Sequence, residues 1–534
     1  MSKDTTASII KTSHQFLTGT FASRVTGMCR DVAMAMVFGS APIIASFMVA
    51  YRMSNLLRRV LGEGAMNAAF VPHFEHHRAE DSRRAASFFL SLFLSLTIVL
   101  LTIIGVGEVG LFAWLHWVRP DKANVEILIL TMVMLPSLLF ICLFGIQAAL
   151  LQCEQRYFAS AFVPVLFNIV WIAGVFAART YHTQKGVLLL AWFVVGAFFV
   201  QWVALLPKTL AILKKLGADA SVPWTFFSKE VRALIKPLGL GIIGVAAAQV
   251  NSALDPLFAR YADSSGPAYL WYAIRLQQLP LALFAIALSA ALLPPLSRSI
   301  RKGKEEEYTS FVSFALRRST SLMIPLTIAI FVLGTPAIVL IYGHGKFGDH
   351  SIAETTRCLW GYAFGLPAMT GVLIFAQAFN AQKRYRITTV ASSASCASNI
   401  LLNTLFVFVF HWGAMSVAIA TSISAYINLL ILAIPFYKQN KMRQNTSLIR
   451  TSAKVLVASI IAFAATGFAS SMIFDSLTWA PLFAQKTAFP STLASQIPPL
   501  VVLTGIFFGV LFVAAYLLRA HDLLALLKRT PTQL

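Results

Sequence analysis

Apolar residues fill this chain in long runs separated by short polar breaks. "FFLSLFLSLTIVLLTIIGVG" (88–107) and "VVLTGIFFGVLFVAAYLL" (501–518) are two of them. Each is close to the ~20 residues that a helix needs to cross the hydrocarbon core of a bilayer. Read with that criterion, the pattern predicts about 14 transmembrane helices, at roughly 10–39, 44–72, 86–116, 125–152, 157–178, 186–213, 232–260, 268–296, 309–341, 352–381, 386–411, 414–437, 451–473 and 497–519. The first two carry charges inside otherwise apolar sequence. An even number of crossings puts both termini on one side. The fold class expected is an all-α membrane protein.

The pattern also echoes itself. "AYRMSNLLRRVLGEGAMNAAFVP" (50–72) aligns without a gap on "AIRLQQLPLALFAIALSAALLPP" (273–295). Ala50, Arg52, Leu56, Ala68 and Pro72 match Ala273, Arg275, Leu279, Ala291 and Pro295. Both segments are the second span of a half. The simplest architecture is therefore two six-helix lobes around a central cavity, followed by two extra helices. That divides the chain into an N-terminal lobe (1–220), a C-terminal lobe (221–440), and a C-terminal helix pair with a cytoplasmic tail (441–534). Transporters built from repeats place their substrate between the repeats.

Composition strengthens the membrane reading. Of 534 residues, 58% are hydrophobic and 12% charged, about half the charged fraction of a soluble protein. The net charge is +22, but its distribution follows the loops. Of the 43 Lys and Arg residues, 29 are assigned to the side of the termini, in stretches such as "SRSIRKGKEEE", "QKRYR" and "KQNKMRQ". Eight are assigned to the opposite side: Arg119, Lys122, Arg179, Lys185, Arg260, Lys346, Arg357 and Lys486. Positive charge collects on the cytoplasmic side, so both termini are expected there. Basic residues dispersed over short loops do not suggest a nucleic-acid partner. The polar opening "MSKDTTASIIKTSHQFLTGTF" lacks the compact apolar core and cleavage site of a signal peptide, so the first helix is expected to be retained. Five cysteines, Cys29, Cys142, Cys153, Cys358 and Cys396, have irregular spacing and suggest neither a disulfide framework nor a zinc site.

Motifs for covalent chemistry are weak. "GLGIIG" (Gly239, Gly241, Gly244) fits G-x-G-x-x-G but follows no strand, so close helix packing explains it better than a dinucleotide. "GHGKFG" lacks Walker spacing. "HFEHH" (His73, Glu75, His76, His77) falls at a basic loop, where solvated side chains are the simpler reading. No nucleophile–base pair stands out, and an enzyme is not expected.

The charges within spans carry more information. "FASRVTGMCRDVAMAMVFG" (21–39) holds Arg24, Arg30 and Asp31, and Arg52, Arg58, Arg59 and Arg275 lie in later spans. One arginine at the bilayer centre costs about 2.5–3.5 kcal/mol on insertion scales. Asp31 and Glu63 balance only part of this positive charge, and pairing or snorkelling to an interface would account for some members of the set. The surplus suits a water-filled cavity and an anionic substrate. Guanidinium matches phosphate in a two-point fork.

Together with "NLLRRVLGEGAMNAAFVPHF" and "WYAIRLQQLPLALFAIALSAALLPPLS", these residues resemble the MurJ (MviN) family of lipid II flippases, within the multidrug/oligosaccharidyl-lipid/polysaccharide exporter superfamily. The resemblance runs over nearly the whole chain. It implies flipping of lipid II, the undecaprenyl-diphosphate-linked peptidoglycan precursor, from the inner to the outer leaflet of the bacterial cytoplasmic membrane by alternating access. Its cavity residues would be Arg24, Arg30, Asp31, Arg275 and either Arg58 or Arg59; Arg52 joins this substrate-binding set from its place inside a span, not from the resemblance. Helices 451–473 and 497–519 would form a groove for the lipid tail. Membrane lipids and proteins of peptidoglycan synthesis are the other partners implied. This chain departs from the family at Ala45, where Asp is frequent, and at Ile274, where the family has "ADR". Two other readings remain: an exporter of another anionic substrate within the superfamily, and a scaffold of wall synthesis that transports nothing.

A second polar set lies in the C-terminal lobe. Asp255 stands before Pro256, which frees a backbone carbonyl. Asn399 and Asn403 share a helix face, and Thr421 follows Val417 by one turn. Carboxylate, amide, hydroxyl and carbonyl oxygens are what a hard cation such as Na⁺ takes. The resemblance implies such a Na⁺ site between these helices, with Asn403 where some members carry an acid; the alternative is that Asp255 sits near the outer mouth and the Asn and Thr side chains only bond neighbouring helices. No other cofactor is expected.

Overall fold

The computed structural model describes residues 6–56, 58, 65–118, 120–181, 183–217, 225–439, 446–473, 489–490 and 492–525, and they are helical almost throughout. Contacts divide the chain into two units, Met1–Ala253 and Leu254–Leu534.

The first unit opens with α1 (Thr6–Phe38), α2 (Pro42–Ser54), α3 (Ala65–Glu80) and α4 (Ser82–Trp117). There follow α5 (Lys122–Met134), α6 (Ser137–Cys153), α7 (Tyr157–Phe162), α8 (Pro164–Ala178), α9 (Thr183–Val203) and α10 (Leu206–Lys215). Helix α11 (Lys229–Ala262) runs across the boundary. Three expected spans are broken helices here, and each break coincides with a proline. Pro136 separates α5 from α6, which bend by 43°. Pro164 and Pro207 open α8 and α10, where a missing N–H breaks no intrahelical bond. The core of this unit is aromatic. Trp171 of α8 is fully buried and meets Phe47 and Tyr51 of α2 edge-on, with ring centres 5.8 and 5.0 Å away.

The second unit continues with α12 (Gly266–Pro280), a π-helical stretch (Leu281–Ile286) and α13 (Ala287–Arg301). Next come α14 (Glu305–Tyr342), α15 (Asp349–Ala363), α16 (Leu366–Ala381) and α17 (Tyr385–Thr404), which ends in a second π-helical stretch (Leu405–Val409). The last helices are α18 (Met415–Gln439), α19 (Thr446–Ile473), α20 (Leu493–Leu517) and α21 (His521–Leu524). One core of this unit gathers Ala329 and Val332 of α14, Val455, Ala458 and Ala462 of α19, and Phe507 and Leu511 of α20.

Among the described residues, nine helices are long and apolar enough to cross a membrane, or ten with the bent α5–α6 pair. This is a multi-pass, all-α membrane protein. The other expected spans fall on α1, α2, α11 and the interrupted α12–α13. Those helices are the ones whose polar residues drew attention in the sequence.

The two units share a second local likeness besides the aligned segments. Helix α6 ends with Gln155 in the left-handed region (φ 56°), followed by Arg156 and Tyr157; α16 leads into Lys383 (φ 60°), Arg384 and Tyr385. Arg156 has φ −92° and ψ 53°, and Arg384 has φ −92° and ψ 52°. The Arg156 N–H reaches the Leu151 carbonyl at 2.8 Å, and the Arg384 N–H reaches Phe379 at 3.0 Å. Both turns close the orphan carbonyls of the preceding helix in a Schellman pattern.

Candidate functional site

Six positions separate Arg24 from Arg30, which turns their side chains roughly 120° apart on α1. Arg24 is exposed and makes no hydrogen bond or ion pair with any described residue. Arg30 is buried, at 6% exposure. Its Nε and Nη2 donate to Oδ1 of Asp31 at 3.1 and 2.8 Å, and its Nη1 donates to Oδ1 of Asn168 at 3.1 Å. The guanidinium lies 4.6 Å from the ring centre of Trp171. Asn168 is itself fixed, because its amide donates to the Ser23 carbonyl (3.1 Å) and to the Thr26 hydroxyl (3.0 Å). A buried charge needs a countercharge and satisfied donors, and α1 and α8 supply both.

Arg52 of α2 reaches α11, where its Nη1 donates to the backbone carbonyl and hydroxyl of Ser252 at 3.1 and 2.8 Å. Arg58 lies half-buried at a π-helical position after α2. Arg59 and Glu63 lie outside the described residues. Ala45 is buried in the packing of α2, with no polar role. Asn168, Trp171 and Ser252 were not singled out in the sequence. An amide inside "PVLFNIVW" was the available signal for the first.

In the second unit, Arg275 is half-buried on α12, its guanidinium 4.8 Å from the ring centre of Trp271 one turn earlier. Ile274 beside it is half-buried. The polar set around Asp255 comes together. One carboxylate oxygen of Asp255 accepts from the Asn403 amide (3.2 Å) and the other from the Thr421 hydroxyl (3.2 Å). The Asn403 amide also bonds Oδ1 of Asn399 at 2.9 Å, and the Asn399 amide bonds the Thr421 hydroxyl at 3.3 Å. The Val417 carbonyl lies 3.0 Å from that hydroxyl. Asp255, Asn399 and Asn403 are buried. This donor set fits a hard monovalent cation: oxygens from α11, α17 and α18 with one carboxylate among them. The same groups also bond one another. No group of three or more His, Cys, Asp and Glu is placed to hold a metal among the described residues.

Helices α19 and α20 bound an apolar cavity of about 530 Å³, lined by Ile461, Gly505, Gly509, Val513, Leu517 and Leu518. A methyl group added at Gly505 or Gly509 would meet nothing within 4 Å. These two glycines, one turn apart, leave the cavity open where side chains would otherwise fill it.

A family model described as "Lipid II flippase MurJ" matches residues 34–487. A probable lipid II flippase MurJ of Chlamydia muridarum is 32% identical, over 98% of this chain and 97% of its own length. A lipid II flippase MurJ of Burkholderia cenocepacia is 26% identical, over 93% of this chain and 96% of its own. Among solved structures, lipid II flippase MurJ in an inward closed conformation superposes with a TM-score of 0.71 at 22% identity, covering 93% of this chain and 99% of that one. An inward-facing multidrug resistance MATE family transporter of the MOP superfamily superposes with a TM-score of 0.63 at 14% identity, covering 80% of this chain and 96% of that one. These two likenesses concern the fold. The sequence matches span almost the full length of both partners, and by them this chain belongs to the MurJ family of lipid II flippases.

Proposed function

We propose that this chain moves lipid II from the cytoplasmic to the outer leaflet of the bacterial cytoplasmic membrane by alternating access, and that its arginines bind the diphosphate. Family membership supports the substrate. The observation that carries the arginine role is Arg24, a guanidinium on a membrane helix that is exposed and has no protein partner among the described residues. A diphosphate would supply the missing countercharge through a planar, two-point contact. Arg52, Arg58, Arg59 and Arg275 are the other arginines assigned to the diphosphate. Arg30, paired with Asp31 and Asn168, is the member least free to bind. The apolar cavity between α19 and α20 suits the polyprenyl tail, which stays in lipid while the headgroup crosses. Both termini are assigned to the cytoplasm by the charge distribution. The Asp255 network would hold Na⁺ as the coupling ion, through the oxygens of Asp255, Asn399, Thr421 and Val417 beside Asn403. Nothing in this activity requires covalent change in the substrate.

Proteoliposomes carrying fluorescent lipid II in one leaflet test the reading directly. Purified protein should accelerate transfer between leaflets, and Arg24→Ala should not. Transfer no faster than in empty liposomes would overturn it.

A further inference from the structure

After α20 the chain turns back on itself. Arg519 adopts the left-handed region (φ 51°), and the Ala520 N–H reaches the Ala515 carbonyl at 2.9 Å. The four-residue helix α21 follows. A helix this short has almost no stability of its own, so its partners must hold it. Arg318, about a third of the way along α14, donates from Nη1 to the Asp522 carbonyl at 2.9 Å and from Nη2 to the Ala525 carbonyl at 2.8 Å. One guanidinium thus closes two carbonyls at the end of α21, where a cation is also favoured electrostatically. The Thr451 hydroxyl of α19 donates to the Asp522 carboxylate at 3.0 Å, and Lys454 reaches the Arg519 carbonyl at 3.3 Å. Ala520 and Leu523, each 2% exposed, plug the core shared by α14, α19 and α20. Three long helices are therefore tied together by seven residues. Leu517 and Leu518, which line the apolar cavity, immediately precede this turn.

We propose that the Arg519–Ala525 turn is a clasp that sets the spacing of α19 and α20 at the end of their apolar cavity, with Arg318, Thr451 and Asp522 as positioning residues for the lipid tail. This rests on the reading of the chain as a lipid II flippase with the cavity as its tail site. None of the three residues need touch the substrate. They act through the placement of Leu517 and Leu518. Release of the clasp removes two charge-assisted hydrogen bonds and lets α20 shift against α19. A long tail depends on the whole length of the cavity, and a short tail does not.

The test compares lipid II bearing its undecaprenyl tail with an analogue bearing a farnesyl tail, in proteoliposomes. Arg318→Ala should slow transfer of the long-tailed substrate about tenfold and leave the short-tailed one within about twofold of wild type. Asp522→Ala and Thr451→Ala, milder changes that keep the core intact, should shift the ratio in the same direction. Should Arg318→Ala fail to fold, these two variants decide. Equal slowing of both substrates would mean a general structural role and overturn the clasp, as would unchanged transfer of both. A wild-type protein that moves neither substrate overturns the flippase reading itself, and the clasp's role falls with it.

Discussion

Arg24 and Arg30 differ in environment although they share a helix. Arg30 has Asp31, Asn168 and Trp171 around it, so removing any of these leaves a buried charge with less compensation. Breaking a buried ion pair from one side costs about 3–5 kcal/mol, whereas losing one hydrogen bond to a charged group costs about 1.5–3 kcal/mol. Asp31→Asn should therefore lower thermal stability in detergent more than Asn168→Ala does; the reverse order would show that the carboxylate is not the main counterion. Arg24 has no such partner to lose among the described residues. Arg24→Ala should leave stability unchanged and abolish complementation of a flippase-depleted strain at normal protein levels. Lys at that position should restore little, because an ammonium cannot make the planar fork. Complementation by the Ala variant would remove Arg24 from the substrate site.

At the scale of elements, proline and the left-handed turn residues organise the helices. Gln155 and Lys383 hold positive φ without being glycine, a conformation that costs an L-residue roughly 1–2 kcal/mol and glycine almost nothing. The side chain of Lys383 is exposed, so Lys383→Gly removes that cost with no packing loss. It should stabilise the second unit by up to about 1 kcal/mol after the extra freedom of glycine in the unfolded chain is subtracted, read as a higher melting temperature. Gly509 makes the opposite case. There is space for a side chain there, so Gly509→Leu should fold normally. It should nonetheless slow transfer of long-tailed lipid II by occupying the cavity. Wild-type transfer by this variant would place the tail elsewhere.

At the scale of the whole molecule, the placement of charge bears on orientation and energy coupling. With the termini inside, the turn between α13 and α14 faces the cytoplasm. A cysteine placed at the exposed Lys302, in a background free of reactive cysteines, should resist a membrane-impermeant maleimide in intact cells and react after lysis. Labelling in intact cells would invert the topology. The Asp255 network carries one carboxylate, so a bound Na⁺ would neutralise it. Replacing Na⁺ by choline should lower wild-type thermal stability and transfer rate, and Asp255→Asn should be indifferent to the exchange. A wild-type protein equally indifferent would leave the network a set of interhelical hydrogen bonds, with membrane potential acting on the arginines as the driving force.

The sequence by itself determined the membrane class, the helical content and which spans hold the polar residues. These follow from local physics: apolar run length measured against bilayer thickness, and the cost of leaving a backbone polar group unpaired in lipid. It also aligned Arg52 with Arg275, a match read from residue pattern alone. Helix periodicity alone could already place Asn399 and Asn403 on one face. Tertiary structure decided what each charge meets. That Asn168 and Trp171, more than a hundred residues downstream, would close around Arg30 while Arg24 stays open depends on how α8 packs against α1. That Asp255 would receive donors from α17 and α18 depends likewise on packing between helices distant in sequence. Arg318 gave no signal in its apolar span, because its partners are backbone carbonyls two hundred residues away, and a carbonyl carries no side-chain identity to read.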